Sequence, residues 1–199
     1  MDEKRTEITD LRVLAALAHP VRVQLLNYLL GTGQHTATQC AEVTEASPSA
    51  CSYHLRHLER FGLVERADED VQGATGRADR RERRWRTSAT GFAFGGTAPS
   101  EDGPAEHAAR HALAVAGVDE NARLAKRYLA ESDSLPAVWQ NAAGFSSYGL
   151  RVTPEELEAI GSALDDVLRP YIGATRDHPP DGAEAVHLTV QAFRRTDPS

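Results

Sequence analysis

The chain has 199 residues, of which 41% are apolar and 26% charged, enough to bury a core in one or two domains. No run approaches the roughly 20 apolar residues of a membrane span, and the opening MDEKRTEITD mixes both charge signs without the apolar stretch of a secretory leader. Two cysteines, Cys40 and Cys51, are too few for a disulfide framework, so the expected setting is reduced and cytoplasmic, with no membrane partner. Charge divides the chain. Residues 1–95 balance 13 Lys and Arg with 13 Asp and Glu, whereas residues 96–199 hold 9 against 16, so the net charge of −7 belongs to the second half.

Leu11, Leu14, Ala15, Leu17 and Ala18 recur at helical spacing and predict a helix over 8–18. His19-Pro20 then places proline at a first helical position, where its missing N–H costs nothing, and a second helix is expected over 20–30, ended by Gly31 and Gly33. Thr36-Ala37-Thr38-Gln39 has the form of a capping box and starts a short helix ending near Thr44. Ser47-Pro48 repeats the start signal for a helix running to about Arg60 and stopped by Gly62. Two short helices separated by about three residues make a helix-turn-helix.

The helix 48–60 carries two distinct rows. Cys51, Leu55 and Leu58 share one face and read as core, while Ser49, Tyr53, Arg56 and Arg60 share another. A small residue near the helix start permits close approach, and donors beyond it reach base edges and phosphates, which is what a major groove requires. An ordinary solvated amphipathic face has the same pattern. Beyond Gly62, residues 63–67 and 83–88 are predicted strands joined by a polar loop over 68–82, the layout of a hairpin wing. The stretch 77–86 holds six arginines, Arg77, Arg80, Arg81, Arg83, Arg84 and Arg86, against Asp79 and Glu82. It is either a solvated loop or an arm for phosphates, whose oxygens match the guanidinium fork.

Two segments resemble a known family. LAHPVRVQLLNYL (17–29) and SPSACSYHLRHLERFGLVE (47–65) are similar, in order and spacing, to the ArsR-type winged-helix regulators, and the likeness extends to about Thr87. The resemblance implies a homodimeric transcriptional regulator, usually a repressor, bound to inverted-repeat duplex DNA. It implies DNA contacts from Ser49, Ser52, Tyr53, His54, Arg56 and His57, joined by the wing arginines Arg77, Arg80, Arg81 and Arg83. Three positions depart from the pattern: the turn reads Thr44-Glu45 rather than Leu-Gly, and Cys40 and Cys51 replace core aliphatics. Free cysteine packs as a small hydrophobe. A thiol-based metal or redox sensor, or a winged-helix protein-docking module, stand as alternatives.

The second half is predicted to be a small α+β unit in an otherwise mainly helical α+β chain. A Pro- and Gly-rich stretch over 88–104 serves as linker, with domains assigned to 1–95 and 105–199 around a linker at 96–104. Residues 105–131 form an Ala-rich helix that Gly117 is expected to bend, suited to lie beside the first helix in a dimer. FSSYGLRVT (145–153) and AVHLTVQAF (185–193) are predicted strands flanking a helix from Pro154 to about Ile172, buried through Leu157, Ile160, Leu164, Val167 and Leu168. Trp139, Phe145, Tyr148 and Tyr171 are either core or the lining of a small-molecule effector pocket. His107 and His111 share a helix face, but two ligands make no metal site, and no catalytic or phosphate-loop motif occurs; neither cofactor nor enzyme activity is expected.

Overall fold

Asp10 sets the first helix: its carboxylate accepts from Arg12 N at 2.8 Å and caps α1 (Leu11–Leu17). The computed structural model from which this is seen describes residues 6–8, 10–67, 83–89, 91–94, 103–177 and 179–196. α1 is shorter than the helix expected over 8–18. Residues 6–8 instead form β1 (Thr6–Ile8), paired in parallel with β5 (Phe92–Phe94) from within the stretch read as linker. Parallel pairing between residues more than 80 positions apart leaves no local periodicity to detect.

α2 (Pro20–Thr32) starts at Pro20 as expected and meets α1 at 93°. Gly33 closes it at φ 87°, a conformation that favours glycine. β2 (His35–Thr36) leads into α3 (Ala37–Val43), and α4 (Pro48–Arg60) follows. The capping box is present: Thr36 Oγ1 accepts from Gln39 N at 3.2 Å, and Gln39 Oε1 accepts from Thr36 N at 3.0 Å. α3 has only seven residues, so its start matters to the whole turn. Thr36→Ala is expected to lower the unfolding free energy by about 1 kcal/mol, read by urea denaturation, because it removes the Oγ1 that accepts from Gln39 N and leaves that donor without its cap.

β3 (Val64–Arg66) and β4 (Arg84–Thr87) form an antiparallel hairpin, and β4 also pairs with β2, giving the order β2-β4-β3. This small sheet beside α3 and α4 is a winged helix-turn-helix. Leu14, Leu17, Leu25, Leu29, Leu55 and Leu58 are inaccessible to solvent at its centre, with Trp85 covering one side. The α1–α2 pair is apolar and long enough to resemble a bent membrane segment, but its leucines are this core; among the described residues no single helix is long and apolar enough to cross a membrane.

α5 (Pro104–Glu131) is one helix of 28 residues, unbroken at Gly117. It packs on α1 and α2, and Leu113 joins the core, so the boundary drawn at residue 105 does not divide the hydrophobic interior. Glu106 and Glu120 are buried on the same face, each held by an arginine of the same helix, Arg110 and Arg123. A 3₁₀ turn (Ser132–Ser134), α6 (Ala137–Ala142) and α7 (Pro154–Asp177) follow. The helical part of the second half is as expected, with α7 five residues longer. The strands expected over 145–153 and 185–193 do not form: among the described residues neither stretch has a strand partner. Nor is the α7 stripe buried. Leu164 and Val167 are exposed, and Leu157, Ile160 and Leu168 are at most half-buried.

Candidate nucleic-acid interface

Ser47 and Pro48 fix where α4 begins. Ser47 Oγ accepts from Ala50 N at 3.2 Å and lies 3.0 Å from Ser49 Oγ, and proline occupies the first turn. The turn before it uses Thr44 where Leu-Gly was the expected pair. Thr44 Oγ1 donates to Cys40 O at 3.0 Å and sits 3.3 Å from Cys51 Sγ, tying α3 to α4 through one hydroxyl. Cys40 and Cys51 are both fully buried, the setting of inert packing thiols.

With Cys51, Leu55 and Leu58 inward, the opposite row of α4 is presented to solvent. Ser49, Tyr53, Arg56 and Arg60 are exposed, Tyr53 by 62%, and Ser52, His54 and His57 are half-buried at the edge of that row. Arg56 Nε donates to Ser52 O at 3.1 Å, which holds the guanidinium against its own helix.

The described part of the wing packs against α4. Arg83 is exposed at the start of the return strand, whereas Arg77, Arg80 and Arg81 fall in 68–82 and lie outside the described residues. Arg86 is engaged by Glu65 across the hairpin at 2.7 Å. Arg66 bonds Glu59 of α4 at 3.1 Å and stacks over Trp85 at 4.8 Å, bracing the wing against the helix.

The fold adds a group of residues to this face. Arg12, His19 and Arg22 come from the α1–α2 corner and meet Tyr53, His54, His57 and Phe61 of α4 around an open cleft of about 520 Å³. The rings make a ladder: His19 to His54 at 4.6 Å, His54 to Tyr53 at 5.3 Å, His57 to Phe61 at 5.2 Å. His19 Nδ1, Arg22 Nε and His54 Nδ1 are shielded from solvent without a protein partner. The signal in sequence was His19-Pro20-Val21-Arg22, which puts a ring and a guanidinium three residues apart on one helical turn. Only the 93° corner brings them to α4.

Electrostatics follow from that crowding. Burial holds all three histidines below the ordinary imidazole value; Arg22 disfavours charge on His19, and His54 and His57 are further lowered by Arg22 and by neighbouring rings. Among the described residues no carboxylate lines the cleft. An approaching phosphate stabilises the charged imidazoles, so association with an anionic duplex takes up protons. Affinity for duplex DNA is therefore expected to rise several-fold between pH 7.5 and 6.0 at fixed salt, measured by fluorescence anisotropy. Fold stability takes the opposite sign. Below about pH 6.5 the unfolded chain binds more protons than the native one, so stability falls as pH drops towards the depressed folded values.

Residues 19–66, about a quarter of the chain, match the sequence model of a family described as bacterial regulatory protein, arsR family. The matched stretch runs from the α1–α2 corner through the helix-turn-helix to β3. The protein carries an ArsR-family regulator domain. That domain supports a DNA-binding transcription regulator. Among curated proteins none matches the chain.

The remaining candidates of the sequence lie away from the ArsR-type domain's exposed row. Trp139 is half-buried, and Phe145, Tyr148 and Tyr171 are exposed. Phe145 meets Tyr128 of α5 in a tilted ring contact at 6.0 Å. None of the four lines either cleft described for the molecule. His107 and His111 are exposed on α5, and among the described residues no three metal-ligating side chains converge.

Proposed function

We propose that the protein is a homodimeric repressor that reads an inverted-repeat operator through α4. The observation that carries this reading is the α4 row Ser49, Tyr53, Arg56 and Arg60, exposed opposite the fully buried Cys51, Leu55 and Leu58. In a dimer the two α4 helices enter successive major grooves about 34 Å apart. Ser49 permits close approach, Ser52, Tyr53, His54 and Arg56 reach base edges, and His57 with the α1–α2 corner contacts the backbone. Arg83, with Arg77, Arg80 and Arg81 of the preceding loop, supplies further phosphate contacts from the wing. Occupied operator excludes polymerase.

Dimerisation is supported by the outer face of α5. Ala108, Ala112, Val115, Ala122 and Leu129 are exposed at spacings of three, four and seven, so a second helix can approach closely. Effector release is the least constrained part of the proposal. A ligand that binds the second half only in the DNA-free arrangement shifts the population away from the operator. The aromatics Trp139, Phe145, Tyr148 and Tyr171 enter such a site only if a partner copy closes it.

Selection of genomic fragments from the source organism by the purified full chain tests the reading. The expected product is an enriched inverted repeat with half-site centres about one helical turn apart. An unenriched pool, or a bound site without two-fold symmetry, overturns it. A protein-docking module gives the unenriched pool.

A further inference from the structure

We infer that residues 145–152 and 186–193 are strands completed by a second copy of this chain, so that the C-terminal sheet exists only in the dimer. The inference rests on the homodimer proposed above and specifies how its second half is built.

Both segments alternate like half-buried strands, yet among the described residues the backbone of 144–152 and 184–194 makes no hydrogen bond of its own. Tyr148, Leu150 and Val152 on one, and Val186, Leu188 and Val190 on the other, recur at every second position and are 41–81% exposed. The polar row of the second segment is the one turned towards the chain. His187 Nε2 lies 3.0 Å from Asn121 Oδ1 of α5, and Asn121 Nδ2 donates to Thr189 Oγ1 at 3.0 Å. The segment is thus fastened by its polar side with its apolar side outward, the reverse of what a solvated strand edge requires. α7, between the two segments, leaves Leu164 and Val167 exposed.

Three considerations make the occupant another copy. The apolar side chains of the two segments expose on the order of 900 Å² per chain, or about 1,800 Å² for a pair, within the range of about 1,200–2,000 Å² that stable interfaces bury. Burying the apolar rows also buries the backbone beside them, whose amides and carbonyls then need a backbone partner, which a small apolar ligand cannot give. The charge of −7 carried by residues 96–199 repels nucleic acid and anionic lipid. An isologous pair satisfies the same deficit twice with one surface.

Hydrogen exchange by mass spectrometry on the full chain, with sedimentation at the same concentrations, tests this. The expected result is a dimer whose amides over 145–152 and 186–193 exchange at least 100-fold more slowly than an unstructured peptide. A Leu188→Asp, Val190→Asp variant is expected to lose that protection and dissociate at least 100-fold more readily, with exchange in α2 and α4 unchanged. A dimer with unprotected segments overturns the strand exchange while leaving the dimer in place. A monomer overturns both, and protected segments in a monomer show that the strands pair within one chain.

Discussion

Replacing Tyr53 and Arg56 together with alanine is expected to weaken binding to the selected operator by at least about thirtyfold while leaving the fold intact. Both side chains are exposed on α4, and neither contributes to the core, so their loss removes contacts to DNA rather than packing. A well-placed base contact is worth about 1–3 kcal/mol, so two lost together amount to about 2–6 kcal/mol, a factor of about 30 or more, unless both lie off the interface. Arg127→Ala is the control. Arg127 is an exposed α5 arginine paired with Glu131 at 3.2 Å, far from α4 in sequence and on a different face. Operator titrations at one salt concentration separate the two outcomes. An unchanged affinity for the double variant moves the DNA site elsewhere.

The second large effect concerns stability. Leu55 lies on the same helix as Arg56, turned the other way, and is inaccessible to solvent among Leu17, Leu25, Leu29, Cys51 and Leu58. Leu55→Ala is expected to lower the unfolding free energy by about 3–4 kcal/mol, because both transfer energy and a residual cavity count against it. Urea denaturation followed by circular dichroism measures it. A loss below about 1 kcal/mol contradicts a tightly packed α2–α4 contact. The pair of predictions separates the two faces of α4: adjacent residues, one read by DNA and one by the core.

How far the sequence foretold this structure depends on how local each signal was. The Thr36 capping box and the Ser47-Pro48 start are complete within four residues, and both appear with the geometry expected. The wing strands are short but punctuated by Gly62 and a polar loop, and they too were legible. The β1–β5 pair was not, because its two halves stand at opposite ends of the winged-helix domain and neither alternates over enough residues. The cleft at His19 and Arg22 was missed for a related reason. Its residues are visible, but their meeting with His54 depends on the corner angle between two helices. The strands predicted over 145–153 and 185–193 present the reverse case. The alternation is real, yet alternation specifies only which faces differ, and a strand needs a partner that one chain does not provide.

The placement of charge also sharpens what the arginine-rich segment does. Arg86 belongs to the basic stretch 77–86, and Arg66 to the strand before it. In the fold each is matched to a carboxylate, Glu59 and Glu65, and braces the hairpin. The proposed phosphate contacts therefore rest on Arg83, on the α4 row and on the α1–α2 corner.

Affinity for duplex DNA as a function of salt tests the central claim, that α4, the corner and the wing form one phosphate-facing surface. Six or more phosphate contacts predict that operator affinity falls about a thousandfold or more between 50 and 200 mM monovalent salt, with a shallower slope for Arg56→Ala. An affinity independent of salt, or no binding to any duplex at 50 mM, contradicts the claim.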